Sequence, residues 1–243
     1  MNIMIKIDHL AKTIDGKKIL VDINMEVGNG EIVGFLGPNK AGKTTTMKIL
    51  AGLLNASSGK VIMGNGKVPF EKSEAASAVA FIPDHPLLYD KLTGREYLNF
   101  IYSLFDLDDA SRDEKIDYLL EVFDLFDQGD DLCESYSLGM QQKLSFASAF
   151  IRDPKILLID EPMNGLDPKS NKVLQDMLVN FANCGGTVLL STHILDIAER
   201  ICHRVVVINK GRTVASGTIP ELKNMMHVES GSLIDVYLAA TGK

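Results

Sequence analysis

The stretch that decides the fold is Gly37-Pro-Asn-Lys-Ala-Gly-Lys-Thr-Thr45, which lies between the apolar run at 31–36 and a periodic segment at 47–54. A strand, the pattern Gly-x-x-x-x-Gly-Lys-Thr and a helix in this order predict a phosphate-binding loop. The glycines let backbone N–H groups point inward, Lys43 reaches the outer phosphates and the Thr44 hydroxyl can hold Mg²⁺. The alternative is a glycine-rich turn that only caps a helix. The predicted nucleotide-binding residues are Gly37, Pro38, Asn39, Lys40, Ala41, Gly42, Lys43, Thr44 and Thr45.

Composition narrows the class of protein. At 243 residues the chain is long enough for one large domain, and its net charge of −7 argues against a nucleic-acid partner. Cys133, Cys184 and Cys202 are an odd number without metal or redox spacing, which fits a reducing cytosol. The N-terminal segment lacks the features of a signal peptide, and no apolar run approaches the roughly 20 residues that span a bilayer. We therefore expect another protein to span the membrane if this one acts there.

The hydrophobic pattern changes along the chain. Alternating residues up to Val27, with Asp15-Gly16 between two segments, predict half-exposed antiparallel strands. From 87 to 126 the period is helical, with capping boxes predicted at Thr93/Glu96 and Ser111/Glu114. Continuous apolar strands then alternate with helices; the strands are predicted at 155–159, 186–190 and 204–208. The fold class predicted is α/β: a P-loop NTPase core with a parallel sheet, an N-terminal antiparallel β subdomain and an inserted α-helical subdomain at about 87–150.

A pair of acids ends the first of these buried strands, in the sequence Asp160-Glu161-Pro162. A carboxylate at the carboxyl end of a parallel strand beside a phosphate loop is placed to hold Mg²⁺, so Asp160 is the predicted metal ligand with Thr44. Glu161 directly after it can polarise the water that attacks a γ-phosphate. Taken alone the pattern is weak, because strands often end in acids. The phosphate loop upstream makes it specific.

The order of motifs resembles the ATP-binding subunit of ABC transporters, from about Ile3 to Leu222. The motifs that carry the resemblance, after the glycine loop and the helical insertion, are Tyr136-Ser-Leu-Gly-Met-Gln141, Leu157-Leu-Ile-Asp-Glu-Pro162, Asn164-Gly-Leu-Asp167 and Ser191-Thr-His193. The resemblance implies an ABC-type ATP-binding domain over residues 1–226 with a C-terminal tail at 227–243. It also implies ATP and Mg²⁺ as ligands, and a head-to-tail dimer in which each ATP lies between one subunit's phosphate loop and the other's signature segment.

Further site residues follow from this resemblance. Ser137 and Gly139 match the signature that touches the partner's γ-phosphate, and Asp167 would lie at the dimer seam. The helix after Ser137 is predicted from Met140 onward. Simple N-caps for the helices that follow Ser137 and Asp167 are compatible alternatives. His193 matches a histidine that contacts the γ-phosphate, with a buried structural histidine as its alternative, and Lys43, Glu161 and His193 form the predicted catalytic set. The other histidines, His9, His85, His203 and His227, are interpreted as surface or packing residues.

Several positions depart from the family pattern. Ile14 stands where an aromatic residue usually stacks on adenine, and Lys40 replaces a glycine and must adopt that glycine's backbone conformation. Leu138 and Met140 stand where the signature usually has Gly and Gln. Asp84 replaces a glutamine that senses Mg²⁺ and contacts the membrane domain. We expect Asp84 to accept from metal-bound water, with a simple turn residue between two prolines as the alternative.

The function expected is an ATP-hydrolysing subunit that powers a membrane transporter, with features of the multidrug, antibiotic and peptide exporter branch. Its expected partners are a polytopic membrane permease and a second copy of itself or a paralogous ATPase subunit, at the cytoplasmic face of the cell membrane. Two alternatives stay open. One is a soluble ABC-type ATPase outside transport, and the other is a non-hydrolysing nucleotide-binding module, against which Glu161 and His193 argue.

The residue at position 14 leads to a first prediction. Without an aromatic platform at Ile14, discrimination between ATP and GTP should be modest, because both nucleotides share the phosphate contacts that dominate binding. The measurement is kcat/KM for ATP and for GTP. A preference for ATP beyond about 30-fold, which is about 2 kcal/mol, would mean that another residue reads the base.

Overall fold

A computed structural model describes residues 2–64, 78–105, 109–163, 166–226, 228 and 231–242. Within these ranges the strands form one mixed sheet, and the helices alternate with the strands along the chain. The strands are β1 (Ile3–Ile14), β2 (Lys17–Gly28), β3 (Ile32–Leu36), β4 (Ser58–Met63), β5 (Val79–Ile82), β6 (Ile156–Asp160), β7 (Thr187–Thr192), β8 (Arg204–Asn209) and β9 (Arg212–Gly217). The helices are α1 (Lys43–Leu50), α2 (Gly94–Leu104), α3 (Arg112–Val122), α4 (Leu138–Phe150), α5 (Pro168–Asn183), α6 (Leu195–Ile201), α7 (Ile219–Met225) and α8 (Leu233–Thr241).

The strand order is β4-β1-β2-β9-β8-β3-β7-β6-β5. Strands β8, β3, β7, β6 and β5 are mutually parallel, and β3, β6 and β7 are buried along their whole length. Burial on both faces explains their continuous apolar sequences. At the other end, β4, β1 and β2 pair antiparallel. The predicted α/β class, with a parallel core and an antiparallel N-terminal region, is confirmed.

The N-terminal hairpin turns at the predicted dipeptide. Asp15 and Gly16 have φ values of 48° and 75°, as a two-residue turn that follows the twist of the strands requires. Ile14 ends β1, opposite Lys17, and is 39 % exposed. Its side chain is therefore at the surface rather than in the core.

The predicted helical segment lies between β5 and β6. Helix α2 begins with the expected capping box: the Thr93 hydroxyl accepts from the Glu96 N–H, and the Glu96 carboxylate accepts from the Thr93 N–H at 2.9 Å. Tyr97 and Leu98 of α2 are buried in the same apolar cluster as Leu157 of β6. The helices are thus packed onto the sheet by a continuous core. The boundaries of the subdomain at about 87–150 stay a prediction.

Two details of the helix starts differ from prediction. Helix α3 follows Ser111, but the Ser111 side chain makes no capping hydrogen bond, so the predicted box with Glu114 is wrong. The cause is the short 3₁₀ turn Asp109–Ser111, which leaves Ser111 at φ −120° and ψ 13° instead of the extended conformation of an N-cap. Helix α4 begins at Leu138, two residues before the predicted start at Met140.

The parallel strands end along one edge, where the predicted site residues follow them. Leu36 of β3 pairs with Thr192 of β7, and Asp160 of β6 pairs with Ser191 of β7. The phosphate loop after β3, the acids at the end of β6 and His193 after β7 are therefore neighbours, as expected for ligand sites of parallel sheets.

The turn between β8 and β9 ties this edge to the N-terminal hairpin. The Gly211 N–H donates to the Ala41 carbonyl of the phosphate loop at 3.0 Å, while the Gly211 carbonyl accepts from the Val21 and Asp22 N–H groups. A Cβ at Gly211 would lie 2.5 Å from the Ile19 carbonyl oxygen, so only glycine fits.

In the C-terminal region, Leu233 and Val236 of α8 are fully buried in one cluster with Leu222 of α7 and Val205 of β8. The division into a domain at 1–226 and a tail at 227–243 stays a prediction. Among the helices that the structure describes, none combines the length and apolar character needed to cross a bilayer.

Candidate functional site

The phosphate loop depends on its two glycines. A Cβ at Gly37 would lie 2.6 Å from the Ile208 carbonyl oxygen, and one at Gly42, where φ is 114°, would lie 2.4 Å from the Leu20 side chain. Gly42 is also the N-cap of α1, and no side chain caps that end of the helix. The N–H groups at this end remain suited to binding an anion.

Lys40 in the same loop has a φ of 67°, in the left-handed region. The sequence predicted this conformation from the glycine that usually stands there. The side chain is exposed, as is that of Asn39, while Pro38, Thr44 and Thr45 are partly buried and Ala41 is buried. Lys40 therefore keeps a strained backbone at the rim of the loop.

Lys43 curls back over the loop. Its ammonium donates to the Gly37 carbonyl at 2.8 Å and lies 3.5 Å from Glu161 Oε1. The side chain is only 8 % exposed. A buried ammonium held between a carbonyl and a carboxylate is placed to bind an anionic group that enters the loop.

The Glu161 carboxylate joins two predicted catalytic residues. While Oε1 faces Lys43, Oε2 lies 2.7 Å from His193 Nδ1 and accepts from the His193 backbone N–H at 3.2 Å. The short Nδ1 contact with a carboxylate places the proton on Nδ1 and leaves Nε2 for another partner. The His193 side chain is 56 % exposed, which excludes the alternative of a buried structural histidine.

Asp160, beside Glu161, is fully buried, and neither carboxylate oxygen has a hydrogen-bond partner in the described part of the chain. Burial raises the pKa of Asp160, and the nearby carboxylates of Asp84 and Glu161 add to the rise, while the hydroxyls of Thr44 and Ser191 oppose it. An unpartnered buried carboxylate is costly unless a cation compensates it. The donor set of one carboxylate and a neighbouring hydroxyl fits Mg²⁺.

No group of three or more His, Cys, Asp or Glu side chains within the described ranges could enclose a metal.

Asp84 lies two residues after β5 and has its own local contacts. Its Oδ1 accepts from the His85 N–H at 3.0 Å, and its Oδ2 lies 3.8 Å from His85 Nε2. The side chain is 44 % exposed, yet close enough to Asp160 to raise the pKa of that group. Both the turn role and the role near the metal are compatible with this position, so the metal role stays a prediction.

Ser137, Gly139 and Asp167 come together elsewhere on the surface, in one open depression that no phosphate-loop residue lines. We call it the signature depression; its lining residues are Ser137, Leu138, Gly139, Met140, Lys143 and Asp167. Ser137 accepts from the Met140 N–H as the N-cap of α4, and Asp167 accepts from the Ser170 N–H as the N-cap of α5. Both capping roles are therefore real. Asn164 and Gly165, before Asp167, lie outside the described residues, as does His227.

The sequence did not identify two residues that lie near the predicted site residues. Ser191 is fully buried, and its hydroxyl acts on the pKa of Asp160. Its position at the carboxyl end of a buried strand, paired with Asp160, is a signal that could have identified it. Lys143 lines the signature depression four residues after Gly139, a spacing that puts both on one face of a helix.

This fold and this edge of the sheet define a P-loop nucleotide-binding protein. The sequence pattern of the family described as ABC transporter matches residues 20–164. The chain is 36 % identical over 224 residues to an uncharacterized ABC transporter ATP-binding protein YthP from Bacillus subtilis, covering 92 % of this chain and 90 % of that protein.

A second relative is the daunorubicin resistance ATP-binding protein DrrA3 from Streptomyces coeruleorubidus, 34 % identical over 239 residues, with 98 % of this chain and 75 % of that protein covered. A solved structure of an ATP-binding subunit of an ABC transporter superposes with a TM-score of 0.92 at 30 % identity, covering 98 % of this chain and 99 % of the other. The chain belongs to the ABC transporter family, as one of its ATP-binding subunits.

The strained backbone at position 40 gives a stability prediction. We expect Lys40→Gly to stabilise the nucleotide-free protein, because glycine adopts a positive φ without the steric cost of a side chain. The net gain should be about 0.5–1 kcal/mol, a rise in Tm of about 2 °C for a protein of this size. Calorimetry without nucleotide measures it.

Lys40→Ala is the matched control, since it removes the charge but keeps the Cβ. Its Tm should stay near that of the parent. An equal rise in both variants would assign the effect to the charge and contradict the backbone explanation.

Proposed function

We propose that this ATP-binding subunit hydrolyses ATP and that hydrolysis powers export through a membrane permease. The observation that carries the proposal is the Glu161 carboxylate, with one oxygen 3.5 Å from the Lys43 ammonium and the other 2.7 Å from His193. A carboxylate held between a phosphate-binding cation and an imidazole is positioned to act on water at the terminal phosphate.

In the proposed mechanism, the phosphate chain of ATP binds the N–H groups of residues 37–45, and Lys43 turns from Glu161 to the outer phosphates. Glu161, relieved of that ion pair, accepts a proton from the attacking water. His193 donates its Nε2–H to the γ-phosphate while its Nδ1–H stays on Glu161, a pair of contacts that needs the imidazolium form with a proton on both ring nitrogens. Thr44 and Asp160 would hold Mg²⁺, which supplies positive charge to the phosphates, and Asp84 is the proposed acceptor for its bound water.

The second half of each site comes from another subunit. The signature depression presents the Ser137 hydroxyl and the N-terminus of α4, groups suited to a phosphate. Because no phosphate-loop residue lines that depression, we propose that it meets the γ-phosphate bound by a second copy of this chain or a paralogous subunit. ATP then favours the closed dimer through contacts that ADP lacks.

The membrane partner is proposed to dock on the region at 84–97. Leu87 and Tyr89, two positions apart in the sequence, are 80 % and 58 % exposed, and such exposure of two large side chains close together supports an interaction surface here. A polytopic permease on this surface would hold the subunit at the cytoplasmic face of the cell membrane. The name of the relative DrrA3 refers to daunorubicin resistance, which favours export over import.

Glu161→Gln tests the proposed reaction. The variant keeps the shape of the side chain and removes the base, so hydrolysis should fall by about 10²- to 10⁴-fold while ATP binding survives. With ATP it should accumulate as a dimer on size-exclusion chromatography. The control is Glu121→Gln, which neutralises an exposed acid of α3 and should leave turnover unchanged. Near-normal turnover of Glu161→Gln would refute the role of Glu161 as the base.

Asp84 gives a prediction about coupling. Asp84→Ala should change ATP binding and basal hydrolysis little, because Lys43, Thr44 and Asp160 remain. Stimulation of hydrolysis by the reconstituted membrane partner should fall by about fivefold or more, since coupling is a free energy between sites.

Asp84→Gln restores the residue usual in the family and should retain more stimulation than Asp84→Ala. If Asp84→Ala matches the parent in both assays, Asp84 is only a turn residue between Pro83 and Pro86.

A further inference from the structure

Lys143 is a cation of the signature depression that the reaction scheme above does not use. Of the six residues that line the depression, it is the one that carries a positive charge. Its side chain is 16 % exposed, which is low for a lysine outside the phosphate loop, and the residue also lines a neighbouring pocket together with Asp124 and Lys169.

The depression also contains a permanent negative charge. Hydrogen bonds from the Ser170 hydroxyl and N–H lower the pKa of Asp167 to about 2, and the positive charge of Lys143 contributes to that shift. Asp167 is therefore ionised at neutral pH. Without Lys143, the lining would present a net charge of −1 to an anionic γ-phosphate and repel it.

Within the described part of the chain, the ion-pair partner of Lys143 is a weak one. Its Nζ lies 3.8 Å from Asp124 Oδ2, and that oxygen is also 3.7 Å from Lys169 Nζ. Asp124 is 74 % exposed, so the pair is screened by solvent and contributes little. The ammonium can leave this carboxylate for a stronger anion at small cost.

We propose that Lys143 is a phosphate-binding residue of the composite site and acts on the γ-phosphate of the nucleotide held by the opposite subunit. This inference rests on the proposed head-to-tail dimer. In it, Lys143 offsets the charge of Asp167 and attracts the γ-phosphate toward Ser137 and Gly139. When the dimer closes, the ammonium exchanges the Asp124 carboxylate for the phosphate.

The experiment measures dimer formation as a function of ATP concentration in the Glu161→Gln background, by analytical ultracentrifugation with Mg²⁺. Lys143→Met keeps the bulk of the side chain and removes the charge. It should raise the ATP concentration for half-maximal dimerisation at least tenfold. Binding of a fluorescent ATP analogue by the monomer should be unchanged, because the phosphate loop is intact. Unchanged binding also shows that the variant is folded.

Lys169→Met is the matched control, because Lys169 contacts the same Asp124 oxygen but does not line the depression. It should dimerise like the parent, and Lys143→Arg should recover most of the loss. The variant Asp124→Asn distinguishes phosphate binding by Lys143 from a structural role of the Lys143–Asp124 ion pair. It should dimerise at an equal or lower ATP concentration if Lys143 binds phosphate.

Three results would overturn the inference. If Lys143→Met dimerises at the same ATP concentration as the parent, Lys143 does not bind the γ-phosphate, although the proposed dimer is supported. If Asp124→Asn weakens ATP-dependent dimerisation as much as Lys143→Met does, the role of Lys143 is the structural ion pair with Asp124 and not phosphate binding. If the Glu161→Gln parent stays monomeric with ATP, the proposed dimer fails and the role of Lys143 falls with it.

Discussion

The charge buried at the end of β6 is the constraint on which the rest of the site depends. Asp160 is fully buried, the Glu161 side chain is 14 % exposed, and the buried ammonium of Lys43 faces Glu161. Removing a charge from water costs several kcal/mol unless partners compensate it. Glu161 has Lys43 and His193, whereas Asp160 has no hydrogen-bond partner in the described ranges. This excess of negative charge supports the proposed Mg²⁺ site, which lies next to a loop suited to anions.

The sheet supplies the rigidity that such an arrangement needs. Parallel strands buried on both faces end at one edge, so residues distant in sequence meet there with fixed spacing. Close packing behind the loop leaves no room for side chains at Gly37 or Gly42. The loop's shape is thus set by the core beneath it.

Sequence alone predicted those features that local chemistry determines. The buried strands were recognisable from their continuous apolar runs, the hairpin from Asp15-Gly16, and the start of α2 from Thr93 and Glu96. The box at Ser111 failed because a 3₁₀ turn before it changed the backbone of the cap, which residue types do not reveal.

Contacts between distant segments were less accessible to prediction. The sharing of Glu161 between Lys43 and His193 depends on how strands pair, and the position of Lys143 beside Asp167 depends on how α4 and α5 pack. Residue types suggested the roles, but only the fold shows which atoms meet.

The single glycine at the β8–β9 turn has a consequence for the dynamics of the whole edge. Gly211 bonds to the phosphate loop with its N–H and to β2 with its carbonyl, so the loop cannot open without straining the N-terminal hairpin. Opening is then cooperative: the amides of the loop and of β2 around Val21 should exchange with solvent deuterium as one unit. The hairpin that turns after Ile14 and the phosphate loop would loosen together, so the predicted contact with the base and the phosphate loop would share one opening event.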